Sequence, residues 1–106
     1  MSTAQGFELH PGAARDIFEI WQFVAEQNPD AAKRVRDDIL GMIRKLVAFP
    51  YSGHQRLDLT SHPLRFQTLR DYLIAYAPDE KPLAVIAVLH GRRNPRIIAA
   101  MLRGRK

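Results

Sequence analysis

The chain has 106 residues, 46% of them hydrophobic, no cysteine and a formal net charge of +5. That length supports one domain around one core, and the lack of cysteine excludes disulfide staples and thiolate metal sites. Residues 1–7 carry neither a basic nor an apolar leader-type region, and the longest nearly apolar run, residues 83–89, is far too short to cross a bilayer, so a single cytoplasmic domain over residues 1–106 is expected, without a membrane partner.

Residues 7–10 are short and mixed, as an edge strand would be, with His10 at its surface end. The run His10-Pro11-Gly12 then interrupts the pattern. Over residues 13–27, Ile17, Ile20, Trp21 and Val24 fall at i, i+3, i+4 and i+7, which is one face of a helix. Phe18 and Phe23 widen that stripe, and Trp21 is assigned to the core. Arg15, Asp16, Glu19, Gln22 and Glu26 are assigned to the wet side. Asn28-Pro29 restarts the helix: Asn28 caps, and Pro29 suits the first helical position because its missing N–H has no partner there. Asp30 adds a favourable negative charge near that end. The second helix is predicted over residues 29–48, with Ala32, Val35, Ile39, Met42, Ile43 and Leu46 as its apolar stripe. Lys33–Asp37 and Arg34–Asp38 are i, i+4 pairs on its wet side.

Pro50 ends this helix, and residues 51–63 read as loop. The period then changes. Residues 64–69 read as a strand, Arg70-Asp71 as a tight connection and residues 72–77 as a second strand. Residues 78–82 form a turn. Residues 83–90 are almost continuously apolar, as a central strand buried on both faces would be. Residues 91–95 break the strand, and Ile97, Ile98, Met101 and Leu102 suit a short helix resting on the sheet. The expected fold is α+β: an N-terminal strand, then a two-helix hairpin packed on a small antiparallel sheet that ends in a three-strand meander, then a short C-terminal helix.

The charge is unevenly placed. From residue 89 onward there are six basic residues and no acid; residues 1–88 hold the other 10 basic residues against all 11 acids, a net of 10 − 11 = −1. The whole positive excess therefore lies at the C-terminal end, an electrostatic footprint for a polyanion or an acidic partner.

Four segments carry a resemblance to a known family. They are Ala14-Arg15-Asp16-Ile17-Phe18-Glu19-Ile20-Trp21, Ala48-Phe49-Pro50-Tyr51-Ser52-Gly53, Leu69-Arg70-Asp71-Tyr72-Leu73-Ile74-Ala75-Tyr76, and Val85-Ile86-Ala87-Val88-Leu89-His90-Gly91-Arg92-Arg93. In order and spacing they resemble the first helix, the helix-ending turn, the central hairpin and the last strand with its basic knuckle in the RelE/ParE superfamily. The resemblance implies the toxin of a bacterial type II toxin–antitoxin system, neutralised by a small DNA-binding antitoxin. RelE-like members cut mRNA on the ribosome, whereas ParE-like members poison DNA gyrase.

Cleaving RNA through its own 2′-hydroxyl requires a base, cations for the phosphorane and an acid for the leaving oxygen. RelE-like enzymes are expected to carry lysines and arginines on the sheet and often a C-terminal Tyr or His. Here the last Tyr is Tyr76 and the last His is His90, and the middle strands supply Arg65 and Arg70 but no lysine. His90, beside Arg92 and Arg93, is the candidate acid or base of a nuclease. The departure favours the ParE-like branch: a gyrase poison that needs no catalytic residue, with a ribosome-dependent endoribonuclease or a non-toxic, antitoxin-binding relic as alternatives. The target- or antitoxin-binding candidates are Arg65, Arg70, Arg92, Arg93, Arg96 and Arg103. Tyr72 and Tyr76 share one strand face and are assigned to packing. His54 and His62 lie in the loop without an acid or cysteine at metal spacing, so neither metal nor cofactor is expected.

Overall fold

The computed structural model describes residues 6–105. The chain runs β1 (Phe7–Leu9), α1 (Pro11–Ala25), α2 (Pro29–Ala48), β2 (Arg65–Leu69), β3 (Tyr72–Ala77), β4 (Leu83–His90) and α3 (Pro95–Arg103). Each predicted element forms. Helix α1 starts earlier than its apolar period suggests, because Pro11 fits the first helical position and the Nδ1 of His10 accepts from the Gly12 N–H at 2.9 Å. His10 is thus a helix cap rather than a plain surface residue. Asn28 caps α2 as expected, accepting from the Ala31 N–H at 3.1 Å. Asn94-Pro95 repeats the device at α3, where the Asn94 side chain accepts from the Arg96 N–H at 2.8 Å. Among the described residues no helix is long and apolar enough to cross a membrane.

The four strands lie in the order β1-β4-β3-β2. The last three form the expected antiparallel meander. β1, however, is parallel to β4, with Phe7 opposite Leu83 and Leu9 opposite Val85, so the sheet is mixed rather than antiparallel throughout. The helical hairpin explains this. The end of α2, at Val47 and Pro50, lies beside Gly6 and Leu83, where β1 and β4 begin. The chain is therefore returned to the end of the sheet from which it set out, and β2 leaves in the direction of β1. Two tight reversals later, β4 runs the same way and meets β1 in parallel.

Both faces of the sheet are covered. Ile74 and Tyr76 of β3, with Leu83, Val85 and Val88 of β4, pack on Ala13, Ile17, Val35, Ile39, Ile43 and Leu46 of the hairpin. Leu73, Ala75, Ala87 and Leu89 face the other way, under Leu59 of the loop and Ile98 and Leu102 of α3. A bulge makes this division possible. Ala75 lies opposite Ala87, but the next residue, Tyr76, lies opposite Val85, so Ile86 is an extra residue in β4. Before it, odd-numbered residues face the hairpin; after it, even-numbered ones do. Were the same residues to alternate regularly, with no bulge, Leu89 and not Val88 would point into the helices.

The wet and dry sides of α1 differ from expectation. Trp21 is 36% exposed, Phe18 55% and Phe23 66%, while Asp16 is buried. Trp21 is therefore not a core residue. The apolar arc of α1 is wider than the strip that the sheet covers, and periodicity alone does not say which part of a wide arc is covered. Ala13, Asp16 and Ile17 are the residues turned inward, with Ile20 packed at the margin.

Candidate target-binding surface

β4 ends at His90, and the chain turns at once. The Gly91 N–H donates to the Asp71 carbonyl at 2.8 Å, and the Arg93 N–H donates to the His90 carbonyl at 3.1 Å. These bonds fix the turn at the end of the sheet, and the Asn94 cap starts α3 directly after it. Arg92, Arg93 and Arg96 are consequently exposed. Arg96 and Arg103 are two turns apart on α3, about 10 Å along its axis, on the side opposite the buried Ile98 and Leu102. Among the described residues none of these four arginines enters an ion pair. Arg93 reaches only the Met101 sulfur, at 3.3 Å. Arg96 lies in the first turn of α3, which holds no acid. A cation there opposes the helix dipole, by about 0.3–1 kcal/mol at an exposed site. Helix stability therefore does not account for Arg96.

The structure sends the other two candidate arginines elsewhere. Arg65 is half-buried, and its Nη1 donates to the Gly53 carbonyl at 2.8 Å while its guanidinium sits 5.4 Å from the centre of the Tyr51 ring. It fastens the loop after α2 to the edge of the sheet. Arg70 occupies the β2–β3 turn with φ +56° and pairs with Asp38 of α2. Its side chain is exposed but engaged, and its backbone makes the turn.

His90 is exposed, with its ring edge-on to Tyr72 at 5.2 Å between centroids. His90 lies directly opposite Tyr72 in the β3–β4 ladder, so the two share a face. Both line a groove of about 370 Å³ between α1 and α3, floored by Ile20, Leu89 and Met101 and rimmed by Arg15 and Arg93. Burial pushes the Tyr72 phenol above its ordinary pKa; the Asp71 charge adds to this and the Arg70 charge opposes it. Tyr72 is thus a neutral hydrogen-bond donor near pH 7, not a base.

One buried ion pair lies at the back of this groove. Arg105 donates both guanidinium arms to the Asp16 carboxylate, Nη2 to Oδ1 at 3.0 Å. The same carboxylate accepts from the Val88 N–H at 3.0 Å, and Arg105 reaches the Ile86 carbonyl at 3.3 Å. β1 stops opposite Val85, so the remaining outer edge of β4 has side chains in place of a strand. The Asp16 hydrogen bond raises the Arg105 pKa further, against the opposing effect of burial. Arg105 is therefore removed from the free basic surface that the charge distribution predicted, and Lys106 lies outside the described residues. A sequence signal for this pair does exist: an acid at position 16 between Ala13, Ile17 and Ile20 belongs to the covered side of α1, and a buried acid demands a cation.

A helical hairpin laid on a small mixed sheet, with arginines that form no ion pair among the described residues where β4 ends, defines a small α+β protein with a basic surface at one end. The family described as the ParE toxin of the type II toxin–antitoxin system parDE matches residues 7–95, and the chain belongs to that family. It is 28% identical over 99 residues to Toxin ParE2 of Mycobacterium tuberculosis strain CDC 1551 / Oshkosh and, equally, to Toxin ParE2 of strain ATCC 25618 / H37Rv. The match covers 92% of this chain and 91% of each relative. The resemblance to the ParE-like branch and the α+β fold expected from it are both borne out, and the chain is by family a type II toxin.

Proposed function

We propose that this toxin works by binding rather than by catalysis. Its arginine surface engages DNA gyrase in the cytoplasm, and a cognate antitoxin neutralises it by covering that surface with an acidic segment. The observation that carries the reading is the set of exposed, unpaired cations at Arg92, Arg93, Arg96 and Arg103. Guanidiniums held at a rigid strand end favour carboxylates or phosphates bidentately. Unpaired interfacial charges of this kind set both partner choice and association rate.

A second reading, a ribosome-dependent endoribonuclease, is favoured by one specific observation. His90 shares its groove with Arg93 and the Tyr72 phenol, a set that offers a proton carrier, a phosphate clamp and a donor. Parallel assays of gyrase supercoiling and of mRNA integrity in a translation extract separate the two. Loss of supercoiling with intact transcripts is the expected result. Codon-phased cuts that vanish in His90→Ala would replace the gyrase reading with the nuclease. Neither effect, with the antitoxin still bound, would identify a silent relic.

A further inference from the structure

Arg15, Glu19 and Phe23 reach the groove that holds His90 and Arg93, but the rest of the outward face of α1 is explained neither by the fold nor by the arginine surface. Phe18, Trp21 and Phe23 stand 55%, 36% and 66% exposed on it, and Phe18 stacks on Trp21 with ring centroids 6.1 Å apart. Phe18 and Trp21 form one exposed apolar patch, of the kind that marks a contact site, and Phe23 stands apart from it. Between the aromatic flanks runs a polar ridge of Arg15, Glu19, Gln22 and Glu26, all exposed. Among the described residues Arg15, Glu19 and Glu26 form no ion pair.

The order of these residues identifies the occupant. Arg15 and Glu26 are equidistant from the peptide bond joining Ile20 and Trp21. Glu19 and Gln22 are equidistant from the same point as well. A helix face that reads alike from both ends, with its terminal charges inverted, is complementary to itself turned end for end. We propose that the free toxin pairs with a second copy of itself through antiparallel α1 helices related by a two-fold axis. Such a contact is isologous, so each interaction occurs twice. Arg15 of each copy meets Glu26 of the other, and Glu19 meets Gln22. On one side of this ridge the Phe18 and Trp21 rings of both copies close together; on the other side the two Phe23 rings do. An unrelated partner would have no need of the inversion.

Sedimentation equilibrium of the full chain, freed from its antitoxin, tests the pairing. The wild type is expected to be a dimer. Arg15→Glu brings like charges together and is expected to raise the dimer dissociation constant by about tenfold or more, as is Glu26→Arg. Arg15→Glu combined with Glu26→Arg restores opposite charges across the axis and is expected to return the constant to within about threefold of wild type. Both changes also suit the helix dipole, so the variants should keep the fold, which thermal melts check. Phe18→Ser is expected to be monomeric. A wild type that stays monomeric at every concentration, or a double variant that fails to recover, overturns the proposal. So does a monomer whose Trp21 emission shifts to the blue only on adding antitoxin, which would assign the face to that partner.

Discussion

Arg105 holds Asp16 across a sequence separation of 89 residues, and the pair completes the edge of β4 that β1 is too short to reach. The carboxylate serves the Val88 N–H and the guanidinium serves the Ile86 carbonyl. One salt bridge thus satisfies two strand groups while joining the start of α1 to the chain after α3. Gly12 makes room for it: a Cβ there would come within 2.7 Å of the Arg105 guanidinium carbon.

Asp16→Ala is expected to destabilise the protein by about 3 kcal/mol, because it leaves a half-buried guanidinium and the Val88 N–H without a partner. The side chains of Arg105 and Asp16 are only 15% and 9% exposed, so little solvent screening reduces the effect. Asp16→Asn, which keeps an acceptor for Val88, should lose less. Urea unfolding of the two variants and of Arg105→Ala measures this; equal stability of all four proteins would show that the pair is ornamental.

Tyr76 is fully buried, and its hydroxyl donates to the Pro50 carbonyl at 2.7 Å and accepts from the Gly53 N–H at 3.0 Å. Tyr76→Phe should cost about 1–3 kcal/mol by orphaning both groups. Burial raises the pKa of this phenol above the ordinary 10.0, outweighing the opposing effects of Gly53, Arg65 and Ser52. The unfolded chain therefore loses this proton first. The stability from the neutral phenol is complete below pH 10 and is lost as pH rises beyond it. The wild-type melting temperature should fall steeply at that alkaline edge, and less so in Tyr76→Phe.

Arg92→Ala together with Arg93→Ala removes two exposed, unpaired cations. A change within about 0.5 kcal/mol is expected in stability. Toxicity in cells and affinity for the antitoxin should both drop by at least about tenfold. A marked loss of melting temperature without loss of binding would make these arginines structural.

Deleting Ile86 removes the extra residue of the bulge and leaves Tyr76 opposite Val85 and Ala75 opposite Ala87 in a regular ladder. Val88 then stays on the helix side and Leu89 on the other, whereas inserting one residue after Ala87 would exchange them. The deletion is therefore expected to melt cooperatively, and the insertion to lose its cooperative thermal transition.

Local rules made much of this fold legible. The two Asn-Pro caps, the stripe from Val35 to Leu46 and the doubly apolar run of β4 each follow from residues near one another in sequence. Two features do not. The parallel partner of β1 depends on where the helical hairpin delivers the chain. The bulge at Ile86 sits inside a run so apolar that no alternation marks it. The site was partly legible: the arginine knuckle stands where the charge count puts it, but Arg65 turns to the loop carbonyl of Gly53, Arg70 to Asp38, and Arg105 to Asp16. Side chains that look equally free in a string of letters are sorted only by which acceptors the fold brings within reach.

The parallel pairing of Phe7 with Leu83 has a consequence for synthesis. A ribosome adds about 5–20 residues per second, so the first strand waits several seconds before its neighbour exists. The sheet cannot close piecemeal, and the nascent chain must carry an unpaired edge and a bare helical face until its final quarter has emerged. Assembly then waits on its most distant contacts, so the arginine surface that follows β4 takes shape only when nearly the whole chain has been made.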